Sequence, residues 1–268
     1  MIHFFPTRRV ALEVFGFSIY WYGLLYLVSF LMAYKLLPRL QKYRGFRLTQ
    51  EDWSAYLSWA VMGVLVGGRL GYVLFYAPHL LADNPLEIVK VWHGGMSSHG
   101  GFIGVLLCTL FFVRSRSIPL VQFADVLVVP VALGLALGRV GNFINLELYG
   151  SVTHLPWGIR IPGVEGLRHP TQLYAVAKDL CIATLCYRHL VPLKTQHYGK
   201  TCALFLMLYG MLRFLIEFIR VQDYPLVDIG VMELTRGQVL TIPVFVAGVI
   251  LWRAAHRFGT GSTLTRCA

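Results

Sequence analysis

The sequence predicts an all-α polytopic membrane protein with about seven transmembrane helices, and composition carries that prediction. Of 268 residues, 56% are hydrophobic and only 14% are charged, against roughly 45–50% apolar and about 25% charged in soluble domains. The mean hydropathy of +0.61 agrees. At about 20 residues per crossing, this much apolar sequence supplies about seven helices. A secreted disulfide scaffold, a disordered tail protein and most cytosolic enzymes are thereby excluded. Three classes stay open: a transporter, a structural membrane protein and an intramembrane enzyme.

Seven apolar stretches qualify as spans, at about residues 17–37, 56–76, 98–113, 121–139, 172–190, 201–219 and 237–252. Lipid offers the backbone no hydrogen-bond partners, so each is expected to be helical. The third is short and glycine-rich and stops at Arg114-Ser-Arg116, while Pro119 is suited to the first turn of the fourth. Orientation follows from the Lys/Arg bias of the loops. With the N-terminus outside, inner segments carry Lys35, Arg39, Lys42, Arg44, Arg47, Arg114, Arg116, Arg188, Lys194, Lys200, Arg253, Arg257 and Arg266, 13 in all. Outer segments carry 7: Arg8, Arg9, Lys90, Arg160, Arg168, Arg220 and Arg236. The N-terminus is therefore expected outside and the C-terminus inside. The longest outer loop, about residues 140–170, is expected to form a small extramembrane cap within a single membrane domain spanning 1–268. No internal repeat or low-complexity tract is evident.

The net charge of +11 would point to nucleic acid in a soluble protein. Here it matches loop arginines and lysines facing anionic lipid, and no basic stretch alternates with aromatics in a polar setting, so no nucleic-acid partner is expected. Cys108, Cys181, Cys186, Cys202 and Cys267 form no C-x-x-C pair, so neither a disulfide framework nor a metal site is expected. Arg8 and Arg9 followed by Glu13 do not resemble a removed signal peptide.

Ionisable groups at membrane depth are costly and are functional candidates by default. Gly67-Gly68-Arg69-Leu70-Gly71-Tyr72 ends the second span; its glycines suit close helix approach, and Arg69 can snorkel to head groups. Trp92-His93-Gly94-Gly95-Met96-Ser97-Ser98-His99-Gly100-Gly101 leads into the third, with an irregular glycine-rich backbone suited to exposing amide donors and His99 at its mouth. The densest cluster runs from Gly138 to Gly150 and includes Arg139, Asn142, Asn145, Glu147 and Tyr149. At 100° per residue Arg139, Asn142, Asn145 and Glu147 do not share one face, so this segment is expected to unwind where it lines a polar cavity. In the sixth span Arg213, Glu217 and Arg220 form an i, i+4, i+7 stripe. Arg168-His169-Pro170-Thr171-Gln172-Leu173-Tyr174 adds polar groups at the start of the fifth. A structural Arg–Glu pair would explain Arg213 and Glu217 equally well. On the topology above, though, the last four features share the outer half of the membrane, where arginines suit an anionic lipid head group.

These motifs, together with Tyr20-Trp21-Tyr22-Gly23-Leu24 and Tyr209-Gly210, resemble the prolipoprotein diacylglyceryl transferases in order and over nearly the whole chain. The resemblance implies an enzyme of the bacterial inner membrane with a periplasmic N-terminus and cap and a cytoplasmic C-terminus. Its substrates would be phosphatidylglycerol and a prolipoprotein whose signal peptide carries a lipobox cysteine, with glycerol 1-phosphate released and no cofactor. It further implies that Arg139 binds the lipid phosphate, that Arg213 is a second essential arginine and that His99 is the base. Tyr22, Asn142, Glu147, Gly150 and Glu217 match further important positions, with Asn145 and Arg69 as added lipid-binding candidates. Glu147 and Glu217 are expected to orient the arginines. Two departures stand out: Tyr20 replaces the family's usual His and Ala175 its usual Glu. The cap also looks short. A transporter using the same arginines would normally show paired halves with matching broken helices, which the sequence lacks.

Overall fold

The computed structural model describes residues 2–4, 8–80, 85–90, 94–191, 197–222, 226–228 and 233–258. Trp92, His93, Lys194, Arg266 and Cys267 lie outside the described residues. Seven α-helices stand among the described residues, at the seven apolar stretches: α1 (Trp21–Leu40), α2 (Gln50–Tyr76), α3 (Ser98–Ser115), α4 (Leu120–Asn145), α5 (Thr171–Leu190), α6 (Lys200–Glu217) and α7 (Arg236–Ala254). Four are long and apolar enough to cross a membrane, over Trp21–Tyr43, Gln50–Tyr76, Leu120–Asn145 and Arg236–Arg257. The chain is thus a mostly helical, multi-pass membrane protein. The sequence expected seven spans; in α3 the apolar part, His99–Ser115, is shorter than those four. α5 carries Lys178, Asp179 and Arg188, and α6 carries Lys200, Arg213 and Glu217, so length and composition alone single out only four.

Before α1 the chain forms a three-stranded antiparallel sheet that the apolar pattern did not predict: β1 (Ile2–Phe4), β2 (Val10–Val14) and β3 (Phe17–Tyr20). Phe15 (φ 49°) and Gly16 (φ 86°) turn β2 into β3, the pair of left-handed residues a two-residue hairpin requires. Residues 17–20 therefore belong to a strand rather than to the first span, and α1 starts at Trp21.

Two compact units divide the described chain, one comprising Met1–Gly45 with Ala124–Ala268 and the other Phe46–Phe123. In the smaller unit α2 and α3 cross on glycine. A Cβ on Gly104 would lie 2.1 Å from the Gly63 carbonyl oxygen, and one on Gly67 would lie 2.4 Å from that of Gly100. Backbone meets backbone here, the close approach that small residues at four-residue spacing allow in lipid. An aromatic cluster closes one end of the unit: Trp53, fully buried, stacks on Phe123 at 5.4 Å with Phe46, Tyr56 and Phe112 around it. α2 begins in a reciprocal cap, Thr49 with Asp52, and Asp52 also pairs with Arg116 at 2.6 Å.

In the larger unit α6 and α7 also meet on glycine, Gly210 against Phe245 and Gly248 against Met207. A buried ionic clasp ties three helix ends. Arg44, counted above among the loop charges, is 1% exposed. Its Nε donates to Asp125 at 2.7 Å and its NH2 to the Thr201 hydroxyl at 2.7 Å. Asp125 in turn accepts the backbone N–H groups of Gly199 (2.9 Å) and Cys202 (2.7 Å), where α6 starts and its dipole is positive. Arg44 thus serves the fold where the loop-charge argument used it for topology. Removing one member of such a pair strands the other, so Asp125→Ala is expected to cost about 3–5 kcal/mol, read as a lowered unfolding midpoint in detergent. A midpoint equal to that of the parent protein would refute the clasp.

Candidate functional site

α4 delivers the densest polar cluster, and it does so as a helix. The expectation that the chain unwinds from Arg139 onward is corrected. α4 runs unbroken to Asn145, because Arg139, Asn142 and Asn145 recur every three residues and fall within one side of the helix. Unwinding comes afterwards, at Leu146 (φ 57°) and Leu148 (φ 56°). Left-handed conformations of this kind cost a residue with a side chain about 1–2 kcal/mol each, and surrounding hydrogen bonds hold them. The Glu147 N–H donates to the Asn142 carbonyl at 2.9 Å, and Leu148 and Glu147 offer their carbonyls to Thr171 Oγ1 (2.8 Å) and Gln172 Nε2 (2.6 Å) at the start of α5. Arg8, from the N-terminal segment, donates to the last carbonyls of α4, those of Phe143 and Ile144. A cation there also complements the negative end of the helix dipole.

The strand-like segment after α4 knits α5 and α6 to it. Gly150 donates to the His169 carbonyl at 2.8 Å and bridges Arg220, while Ser151 donates to the Ile219 carbonyl at 2.9 Å. No side chain fits at 150: a Cβ would sit 2.6 Å from that of His169 and 2.7 Å from the Ile219 oxygen. Further along, β4 (Ile159–Arg160) and β5 (Leu167–Arg168) form a short hairpin.

This knot brings Arg139, Arg213 and Arg220 to the wall of one small pocket, together with Leu148, Thr171, Gln172, Ala175 and Ile216. Glu217, 2% exposed, pairs with Arg213 at 2.7 Å and with Arg220 at 3.3 Å. Gly237 at the start of α7 makes room for it, since a Cβ there would lie 2.5 Å from Glu217 Oε1. Arg139 donates to Asn142 Oδ1 at 3.3 Å, and Asn142 Nδ2 bonds the Tyr22 hydroxyl. The sequence expected both glutamates to orient arginines; Glu217 pairs with two, whereas Glu147 accepts from Asn145 at 2.9 Å. Three guanidiniums converge on this wall with Glu217 among them, a donor set suited to an anion.

Of the predicted residues, Tyr22, Arg139, Asn142, Asn145, Glu147, Gly150, Arg213 and Glu217 stand in this larger unit. Arg69 and His99 belong to the smaller one. His99 is exposed in the first turn of α3, which Ser97 caps by accepting from the Gly100 N–H at 3.3 Å. Arg69 is 5% exposed and donates to the carbonyls of Ile88 (3.0 Å), Gly94 and Gly95 (3.2 Å). The glycine-rich loop therefore turns carbonyl oxygens towards Arg69, whereas the sequence had suggested amide donors. Gly94 (φ 81°) and Gly95 (φ 74°) permit this path. Sequence reasoning left Arg220, Gln172 and Arg8 out of the site. Arg220 had a signal in the i+7 stripe; Arg8, more than 130 residues from the carbonyls it binds, had none.

The chain matches the prolipoprotein diacylglyceryl transferase family over residues 9–254. It is 42% identical over 253 residues to a phosphatidylglycerol–prolipoprotein diacylglyceryl transferase of Wolbachia pipientis, covering 91% of this chain and 94% of the relative. Proteins of the same name from Bordetella avium (40%, 94% and 96% covered) and Pseudomonas fluorescens (41%, 92% and 93% covered) are similar to it as well.

Proposed function

The chain belongs to the prolipoprotein diacylglyceryl transferase family, and from that premise we propose that it transfers the diacylglyceryl group of phosphatidylglycerol to the lipobox cysteine of a prolipoprotein. The observation that carries this reading is the pocket lined by Arg139, Arg213 and Arg220, with Glu217 pairing the last two. The cysteine sulfur attacks the glycerol carbon that bears the phosphate, a C–S bond forms, and the C–O bond breaks with its electron pair passing to the phosphate oxygen. Glycerol 1-phosphate leaves. The phosphodiester carries one negative charge and the departing monoester between about 1.5 and 2. Charge thus grows at the phosphate during the reaction, and the guanidiniums of Arg139, Arg213 and Arg220 stabilise the transition state more than the bound lipid. No cofactor is needed for that step. Asn142, held by Tyr22, sets the Arg139 side chain, and Gly150 keeps the knot closed behind it.

The seven helices form one membrane domain across residues 1–268 in the bacterial inner membrane. The N-terminus and the cap at about 140–170 face the periplasm, and the C-terminus faces the cytoplasm; loop charge supports this orientation. For His99 the role is proton acceptor from the thiol, supported by the family resemblance. His99→Gln is then expected to lower the rate, measured from about pH 6 to 9. A rate equal to the parent protein's across that range would remove the base role. Arg69 is assigned to the loop it binds. The deciding assay incubates the purified protein with labelled phosphatidylglycerol and a lipobox peptide, with a Cys→Ser peptide as control. Label transferred only to the cysteine peptide supports the reading, and label on neither peptide sinks it.

A further inference from the structure

Within the anion pocket one wall residue has the wrong polarity for a phosphate. Gln172 is 2% exposed, and its Nε2 donates to the Glu147 carbonyl at 2.6 Å. A carbonyl cannot donate, so the amide can only lie this way round, with Oε1 turned away. Oε1 is fully buried and accepts no hydrogen bond. Nearly all buried polar atoms in proteins are paired, and one that is not calls for an explanation. Its neighbours across the pocket are Arg139, Arg213 and Arg220. A ligand suited to this wall therefore carries an anionic group for the arginines and, a short distance from it, a hydrogen-bond donor for Oε1. A cationic donor such as an ammonium is disfavoured by the three guanidiniums on the same wall. A neutral hydroxyl is not.

We propose that Gln172 determines head-group specificity by accepting a hydrogen bond from a hydroxyl of the phosphatidylglycerol head group. The assignment rests on the function proposed above and deepens it. The pocket opens around the head group, the phosphate takes the arginines, and Oε1 takes a glycerol hydroxyl. Sites that hydrogen-bond a substrate hydroxyl reject analogues lacking it, because the buried partner is then left bare. Ala175, one turn along α5, lines the same wall.

The test uses the full-length protein in nanodiscs with a lipobox peptide and two lipids of identical acyl chains, phosphatidylglycerol and phosphatidylpropanol, which lacks both head-group hydroxyls. The parent protein is expected to favour phosphatidylglycerol by at least about 10-fold. Gln172→Met keeps the length of the side chain and removes both the acceptor and the donor to Glu147. It is expected to slow transfer from phosphatidylglycerol about 10-fold more than transfer from phosphatidylpropanol, collapsing the preference. Both lipids are measured in one preparation, so a partly misfolded variant leaves the ratio intact. An equal loss with both lipids would overturn the assignment and reduce Gln172 to its link with Glu147. A second measurement needs no variant: sn-glycerol 1-phosphate should inhibit the parent protein at least about 10-fold more tightly than propyl phosphate. Equal inhibition overturns the proposal. If the parent protein transfers neither lipid, the function itself falls, and the assignment falls with it.

Discussion

Arg139→Ala and Arg213→Ala each abolish transfer of label from phosphatidylglycerol to a lipobox peptide, while the protein still inserts and elutes as a folded species. Removing one donor to a developing negative charge slows catalysis by about 10²–10³-fold in other enzymes. The loss here is expected at or beyond the upper end. Both arginines line one pocket, and losing either removes a guanidinium that meets the growing charge on the phosphate. Arg213→Ala does more, because it leaves buried Glu217 paired with Arg220 alone. Lysine at either position restores the charge without the planar fork and is expected to recover only part of the rate. Initial rates with radiolabelled lipid check this, and near-normal turnover in both alanine variants would defeat the assignment.

Gly104→Leu removes the folded protein altogether. A Cβ at 104 meets the Gly63 backbone at 2.1 Å, so even the first carbon of a side chain forces α2 and α3 apart. Overpacking a well-packed core of side chains typically costs about 1–3 kcal/mol. Here the obstacle is main chain, which cannot rotate away, and the cost is expected to exceed that range. Gly101 provides the contrast within the same helix. A Cβ there has Val64 at 3.6 Å as its nearest neighbour, an ordinary contact, and Gly101→Ala is expected to be tolerated. Yield of monodisperse protein after detergent extraction distinguishes the two; equal yields would mean the crossing is looser than its geometry.

Helix positions were legible because apolar runs of the right length have only one solution in lipid. The arginine–glutamate stripe of α6 was legible for a similar reason, since i, i+4, i+7 spacing places side chains together without knowledge of any neighbour. β1–β3 escaped notice because strands of three to five residues are too short to stand out beside a long apolar helix. Their one strong signal, Phe15-Gly16 between Val10–Val14 and Phe17–Tyr20, is a turn pair that also suits a loop before a span. The point at which α4 unwinds was misplaced because helical phase was applied to four residues at once. Three of them obey it, and Glu147 alone lies beyond the break at Leu146. The roles of Gln172 and Arg44 depend on which atoms face them across distant parts of the chain. Periodicity carries no information of that kind.

Gly237 has a bearing on how the protein is made. It lies against Glu217 Oε1 at a distance that admits no side chain, so the carboxylate shared by two arginines is covered by the first turn of the last helix. A ribosome that has translated as far as Arg220 has already produced every arginine of the pocket. Their counter-ion still lacks its lid until α7 is synthesised and inserted. The nascent chain therefore holds every residue of the pocket wall before Glu217 is covered, and a chain released before residue 237 leaves that carboxylate without its cover.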